Sequence, residues 1–216
     1  MKRIRKSFIV SMCFLAAFLL WTVGICFVDV RTIGPQGSSV GFAGINGFVH
    51  SLTGVHFSLY IITDWLGLVP VFVCVGFGIL GLVQWIKRKS ICKVDYDLLV
   101  LGGFYIITIA AYFLFESVVI NYRPVLINGY LETSYPSSTT LLVMCVMPTA
   151  IMQLDSRIKN KVLRNIVAVA TVAFIAFMVI GRLLSGVHWF TDIVGASLLS
   201  AGLVMLYRAI IGLDAG

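Results

Sequence analysis

The segment Gly181-Arg182-Leu183-Leu184-Ser185-Gly186-Val187-His188-Trp189-Phe190-Thr191-Asp192 brings a guanidinium, an imidazole and a carboxylate into twelve residues. His188 and Asp192 are four apart, so on a helix they share one face and touch. An aspartate on one ring nitrogen fixes the tautomer and frees the other nitrogen to attack, with a phosphohistidine as the natural intermediate. Two further segments carry complementary groups: Asn121-Tyr122-Arg123-Pro124 and Tyr135-Pro136-Ser137-Ser138-Thr139-Thr140. Arginine's rigid fork matches phosphate oxygens, and a helix that opens near Pro136 adds unpaired N–H groups and a favourable dipole. Pro136 suits a first helical turn, with Ser134 or Ser137 as the cap. A lone His/Asp pair also occurs as a structural polar contact. The coincidence of Arg182, His188 and Asp192 with Arg123-Pro124 and Pro136-Ser137 favours a functional reading.

These groups need a scaffold, and the composition says which. Of 216 residues, 60% are hydrophobic and 12% charged, against about 25% charged in a soluble domain. A water-soluble globule is excluded in practice. Apolar runs lie at about Ser7 to Val28, Leu66 to Trp85, Leu98 to Ile120, Ser138 to Leu154, Val162 to Ile180 and Trp189 to Ile211. Each is long enough for a bilayer crossing, and none alternates as a β-barrel strand does. The expected fold is all-α: a polytopic membrane bundle of six transmembrane helices in a single domain, 1–216. The first run exceeds a signal core and reads as a retained anchor. Cys13, Cys26, Cys74, Cys92 and Cys145 have no metal-ligand spacing and read as small core hydrophobes.

The net charge of +7 matters here through its distribution. Lys2, Arg3, Arg5 and Lys6 precede the first run; Lys87, Arg88, Lys89 and Lys93 follow the second; Arg157, Lys159, Lys161 and Arg164 follow the fourth. The positive-inside rule therefore puts both termini in the cytoplasm, and the loops that hold Arg123, Arg182 and His188 outside it. The expected setting is a bacterial-type plasma membrane, with the bilayer as partner and no nucleic acid. The connection from about Asp29 to Trp65 either lies along the interface or dips into the bundle. Its His50, His56 and Asp64 read as polar groups at the membrane surface.

Arg182, His188 and Asp192, with Arg123-Pro124 and Pro136-Ser137, resemble the blocks of the type 2 phosphatidic acid phosphatases (PAP2), membrane relatives of the vanadium haloperoxidases. That family's pattern is Lys-x6-Arg-Pro, Pro-Ser-Gly-His and Ser-Arg-x5-His-x3-Asp, and the third block matches here in spacing. The resemblance implies His188 as nucleophile, Asp192 as its orienter, and Arg123 and Arg182 as phosphate clamps. It also implies that Ser137, Ser138, Thr139 and nearby amides hold phosphate oxygens. Neither metal nor other cofactor is expected. The implied substrate is a membrane phospholipid or polyprenyl phosphate or diphosphate.

Three positions depart from that pattern. Glu116 stands where the family has lysine, and either pairs with Arg123, seven residues on along one helix face, or receives a cationic part of the substrate. Ser138-Thr139 replaces Gly-His, which removes the family's general acid, a contribution of about 10² to 10⁴ in rate. Gly181 replaces a serine. A lipid monophosphate expels an alkoxide with a conjugate acid near about 15.7, whereas a diphosphate expels a phosphate whose proton sits near about 6. Without an acid, diphosphates are the expected substrates. Head-group phosphotransfer and non-catalytic lipid binding are the alternatives. The picture as a whole is one cationic cup beneath a nucleophilic imidazole.

Overall fold

In a computed structural model the described residues are 2–214. Met1, Ala215 and Gly216 of the expected domain lie outside them, as do the side chains of Lys2, Arg3 and Asp214. The helices are α1 (Lys2–Phe27), α2 (Ala43–Thr53), α3 (Phe57–Leu66), α4 (Leu68–Arg88), α5 (Tyr96–Ser117), α6 (Ser138–Arg157), α7 (Lys161–Leu184) and α8 (Phe190–Asp214). Among the described residues, six stretches are long and apolar enough to cross a membrane. The protein is an integral membrane helix bundle.

Two boundaries differ from expectation. The second crossing is the 32-residue stretch Phe57–Arg88, because Gly67 keeps a helical φ of −60° and ψ of −16° and lets α3 run on into α4. The connection before it is therefore shorter than expected and carries α2, while α3 belongs to the crossing itself. The third crossing stops at Ser117 rather than Ile120, where Val118 turns extended.

The core lies where helices touch on several sides. α6 and α8 bury 50% and 56% of their spanning windows, and the other crossings 28% or less. The outer helices turn side chains such as Leu20, Phe72 and Val169 outward, as an apolar solvent permits. α1 packs along α8: Ser11 Oγ donates to the Gly202 carbonyl at 2.7 Å, and a Cβ on Gly202 would stand 2.7 Å from Leu15. Only a residue without a side chain allows that approach. Of the cysteines, Cys145 lies in the core and the half-buried Cys74 packs against it, whereas Cys13, Cys26 and Cys92 are exposed, so the core reading holds for two of the five.

Candidate active site

His188 precedes α8, and Asp192 lies in that helix's first turn. The shared-helix premise is thus corrected, yet the two meet: His188 Nδ1 is 3.5 Å from Asp192 Oδ2, with both side chains buried. The helix start explains the contact. Asp192 Oδ2 accepts from the Trp189 backbone N–H at 2.9 Å, the reciprocal half of a capping box. The other half comes from far along the chain, since Asn46 of α2 accepts from the Thr191 N–H at 3.1 Å. Asn46 also donates to Thr191 Oγ1 at 3.0 Å and to the Gly41 carbonyl at 2.8 Å. Trp189 Nε1 donates to the Tyr122 carbonyl at 2.7 Å, tying this turn to the loop that bears Arg123.

That loop, 118–137, folds back on itself. Asn128 and Gly129 have φ of 52° and 84°, the left-handed pair that a tight hairpin turn demands. Ile127 and Tyr130 then bridge, as do Tyr122 and Thr133. The Arg123 N–H donates to the Glu132 carbonyl at 3.0 Å, and Arg123 Nε lies 3.1 Å from Glu132 Oε2. Glu132 was missed from sequence; the Asn-Gly pair is the signal that finds it. The expected Glu116–Arg123 pair does not form. α5 ends at Ser117, so no helix carries the seven-residue spacing through to Arg123. Glu116 instead accepts from Thr133 Oγ1 at 3.3 Å.

Arg182 lies in the last turn of α7 and is 1% exposed. α3 holds it: Arg182 Nη2 donates to Asp64 Oδ1 at 3.3 Å, and Nη1 to Thr63 Oγ1 at 3.3 Å and to the Tyr60 carbonyl at 3.4 Å. The Tyr60 ring centroid is 5.0 Å from the Arg182 guanidinium carbon and 6.0 Å from that of Arg123. Asp64, exposed as expected, thus also borders the site through this contact. His50 packs its ring 5.4 Å from Trp189, and His56 is exposed, its Nε2 2.9 Å from the Thr53 carbonyl.

α6 opens toward the same place. Pro136 falls before the N-cap, outside the first turn, and Ser137 occupies the cap position without a side-chain capping bond. The first bond of the ladder is from Leu141 N–H to the Ser137 carbonyl, so the amides of residues 138–140 lie ahead of it. A cavity of about 540 Å³ is lined by Arg123, Arg182, Ser138 and Thr139, together with Asp64, Glu116 and Glu132. A narrow crevice shares Arg123, Ser138 and Glu116 with it and reaches His188. Ser137 lines neither space; its hydroxyl is buried without a partner.

The structure thus joins Arg123, Arg182, Ser138, Thr139 and Glu116 around one cavity, with His188 in the adjoining crevice and Asp192 behind it. The cup is not simply cationic. Three carboxylates face two guanidiniums, because the hairpin and α3 each add an acidic partner for an arginine. Several buried polar atoms here have no hydrogen-bond partner among the described residues: His188 Nδ1 and Nε2, Arg123 Nη1, Arg182 Nε and Asp192 Oδ1. Such atoms are scarce in native proteins, and a phosphate offers oxygens to the donors among them. Burial, then the charges of Arg123 and Arg182, push the His188 imidazole well below its ordinary value. It is neutral near pH 7, the state in which a ring nitrogen is a nucleophile. Among the described residues no three His, Cys, Asp or Glu side chains cluster as metal ligands do.

Residues 100–213 match the family described as the PAP2 superfamily. That span contains Glu116, Arg123, Ser137, Ser138, Thr139, Arg182, His188 and Asp192, and excludes Asp64. No curated protein matches the chain. Among solved structures, one described as the first transmembrane PAP2-type phosphatidylglycerolphosphate phosphatase from Bacillus subtilis aligns with a TM-score of 0.59 and 18% identity. The alignment covers 95% of this chain and 96% of that one. At that identity the likeness speaks for the fold alone.

Proposed function

The chain belongs to the PAP2 superfamily, and from that premise we propose that it is a membrane lipid phosphatase working through a phosphohistidine at the outer leaflet. The observation that carries the proposal is the buried His188–Asp192 contact at 3.5 Å, beside a cavity that both guanidiniums line. Asp192, 3.5 Å from Nδ1, fixes the ring electrostatically with the proton on Nδ1, and Nε2 attacks phosphorus. As the Nε2–P bond forms, the bond from phosphorus to the leaving oxygen breaks, and water then attacks phosphorus to release phosphate and return the imidazole. Arg123, Arg182 and the first amides of α6 neutralise the charge on the three equatorial oxygens, where most of the stabilisation of such a transition state arises. The basic loops at the other end of the bundle support an orientation with this site facing out of the cytoplasm.

Thr139 lines the cavity where an acid is needed, and its hydroxyl does not give up a proton near neutral pH. Substrates with a stabilised leaving group, polyprenyl diphosphates above all, are therefore favoured over phosphatidic acid. Phosphate release from lipid mono- and diphosphates by the detergent-purified protein tests this. Diphosphates should turn over much faster, and His188→Ala should abolish release. A clear preference for phosphatidic acid overturns the substrate; undiminished turnover in the variant overturns the nucleophile.

A further inference from the structure

The acidic wall of the cavity has no role in holding phosphate. Asp64 and Glu132 each contact an arginine, at 3.3 and 3.1 Å. Glu116 accepts only the Thr133 hydroxyl and makes no ion pair among the described residues. When a dianionic phosphate takes the two guanidiniums, three carboxylates face it across one cavity. Like charges lining one cavity weaken anion binding, and a cation that arrives with the ligand offsets them. The unpartnered Arg123 Nη1, on a residue only 9% exposed that lines the cavity, marks the anion's place independently of the carboxylates.

We propose that the ligand of this site carries an ammonium group beside its phosphate, and that Glu116 receives it. The reading rests on the site being one for phosphate, and adds what else its substrate bears. Tyr112 lines the cavity one helical turn before Glu116. An aromatic ring next to a carboxylate is the chemistry that recognises an ammonium. A metal ion fits less well, since Asp64, Glu116 and Glu132 do not converge as a ligand set. The cation is therefore organic and is carried by the ligand, as in a lipid diphosphate that also bears a 2-aminoalkyl group.

The test is equilibrium binding by calorimetry to the purified full chain in detergent. The probes are a dodecyl-chain 2-aminoalkyl phosphate and the same molecule N-acetylated. At neutral pH the ammonium form should bind roughly two- to fivefold tighter, the size of one partly exposed charge contact. Glu116→Gln should bring the two probes near parity, and Glu116→Lys should reverse the order. Glu116 is exposed, so all three proteins should melt alike. Equal or tighter binding of the acetylated probe by the native protein, an unchanged preference in Glu116→Gln, or no binding of either probe overturns the inference. Phosphate release is read on the same samples. An intact preference with no turnover of any ester removes the phosphatase reading and leaves this one standing.

Discussion

Thr139→His returns an acid to the place where a leaving oxygen needs its proton. Thr139 stands in the first turn of α6 and faces the cavity that both guanidiniums line. Its methyl carbon packs on Gly67, 3.3 Å from where a Cβ there would be, and the rest of the side chain borders the cavity. The cavity of about 540 Å³ gives an imidazole space on the side away from Gly67. A positioned acid contributes about 10² to 10⁴ in rate, or about 2.7 to 5.4 kcal/mol at 1.36 kcal/mol per factor of ten. That gain is available only to an alkoxide leaving group, whose conjugate acid lies about ten units above that of phosphate. On phosphatidic acid, kcat/KM should rise by about 10² or more; on a polyprenyl diphosphate it should change by less than about threefold. Initial rates of phosphate release on both substrates, with thermal melting as a check on folding, measure the ratio. A folded variant that still cleaves diphosphate but gains nothing on the monoester refutes the assignment of Thr139, and so does an equal gain on both.

Two further expectations concern the nucleophile and its support. Because burial and two arginines lower the His188 pKa below its ordinary 6.5, the neutral imidazole persists under mild acid, and the acid limb of kcat/KM against pH should fall below that value. An acid limb at or above it would contradict the geometry. The same shift has a stability sign. Below 6.5 the unfolded chain binds a proton that the folded imidazole refuses, so stability falls as pH drops from there toward the folded pKa. Asn46→Ala removes three buried hydrogen bonds, including the one to the Thr191 amide at the start of α8. It should cost about 1 to 3 kcal/mol, read as a lower melting temperature in detergent, together with reduced turnover as the His188–Asp192 turn loosens.

The all-α membrane fold was legible because it depends on run length. A stretch of about 20 apolar residues answers the bilayer wherever it occurs in a chain. The Arg182, His188 and Asp192 spacing was legible for a similar reason: one short segment carries it. Glu132 was legible in principle, through the local turn preference of Asn128-Gly129. The partners of the arginines and of the α8 start were not. Asp64 reaches Arg182 across 118 positions of chain, and Asn46 reaches Thr191 across 145. Glu116 was assigned to Arg123 on a helical spacing that the helix does not sustain, since α5 stops six residues short. Residue types and runs determined that a bundle would form and that an imidazole, an aspartate and two arginines would gather at one end. Which carboxylate each arginine meets, and which is left facing the cavity alone, was decided by the packing of α3 on α7 and the fold of one hairpin. Coulomb and hydrogen-bond energies depend on distance through space, and only the assembled fold sets that distance between segments far apart in the chain.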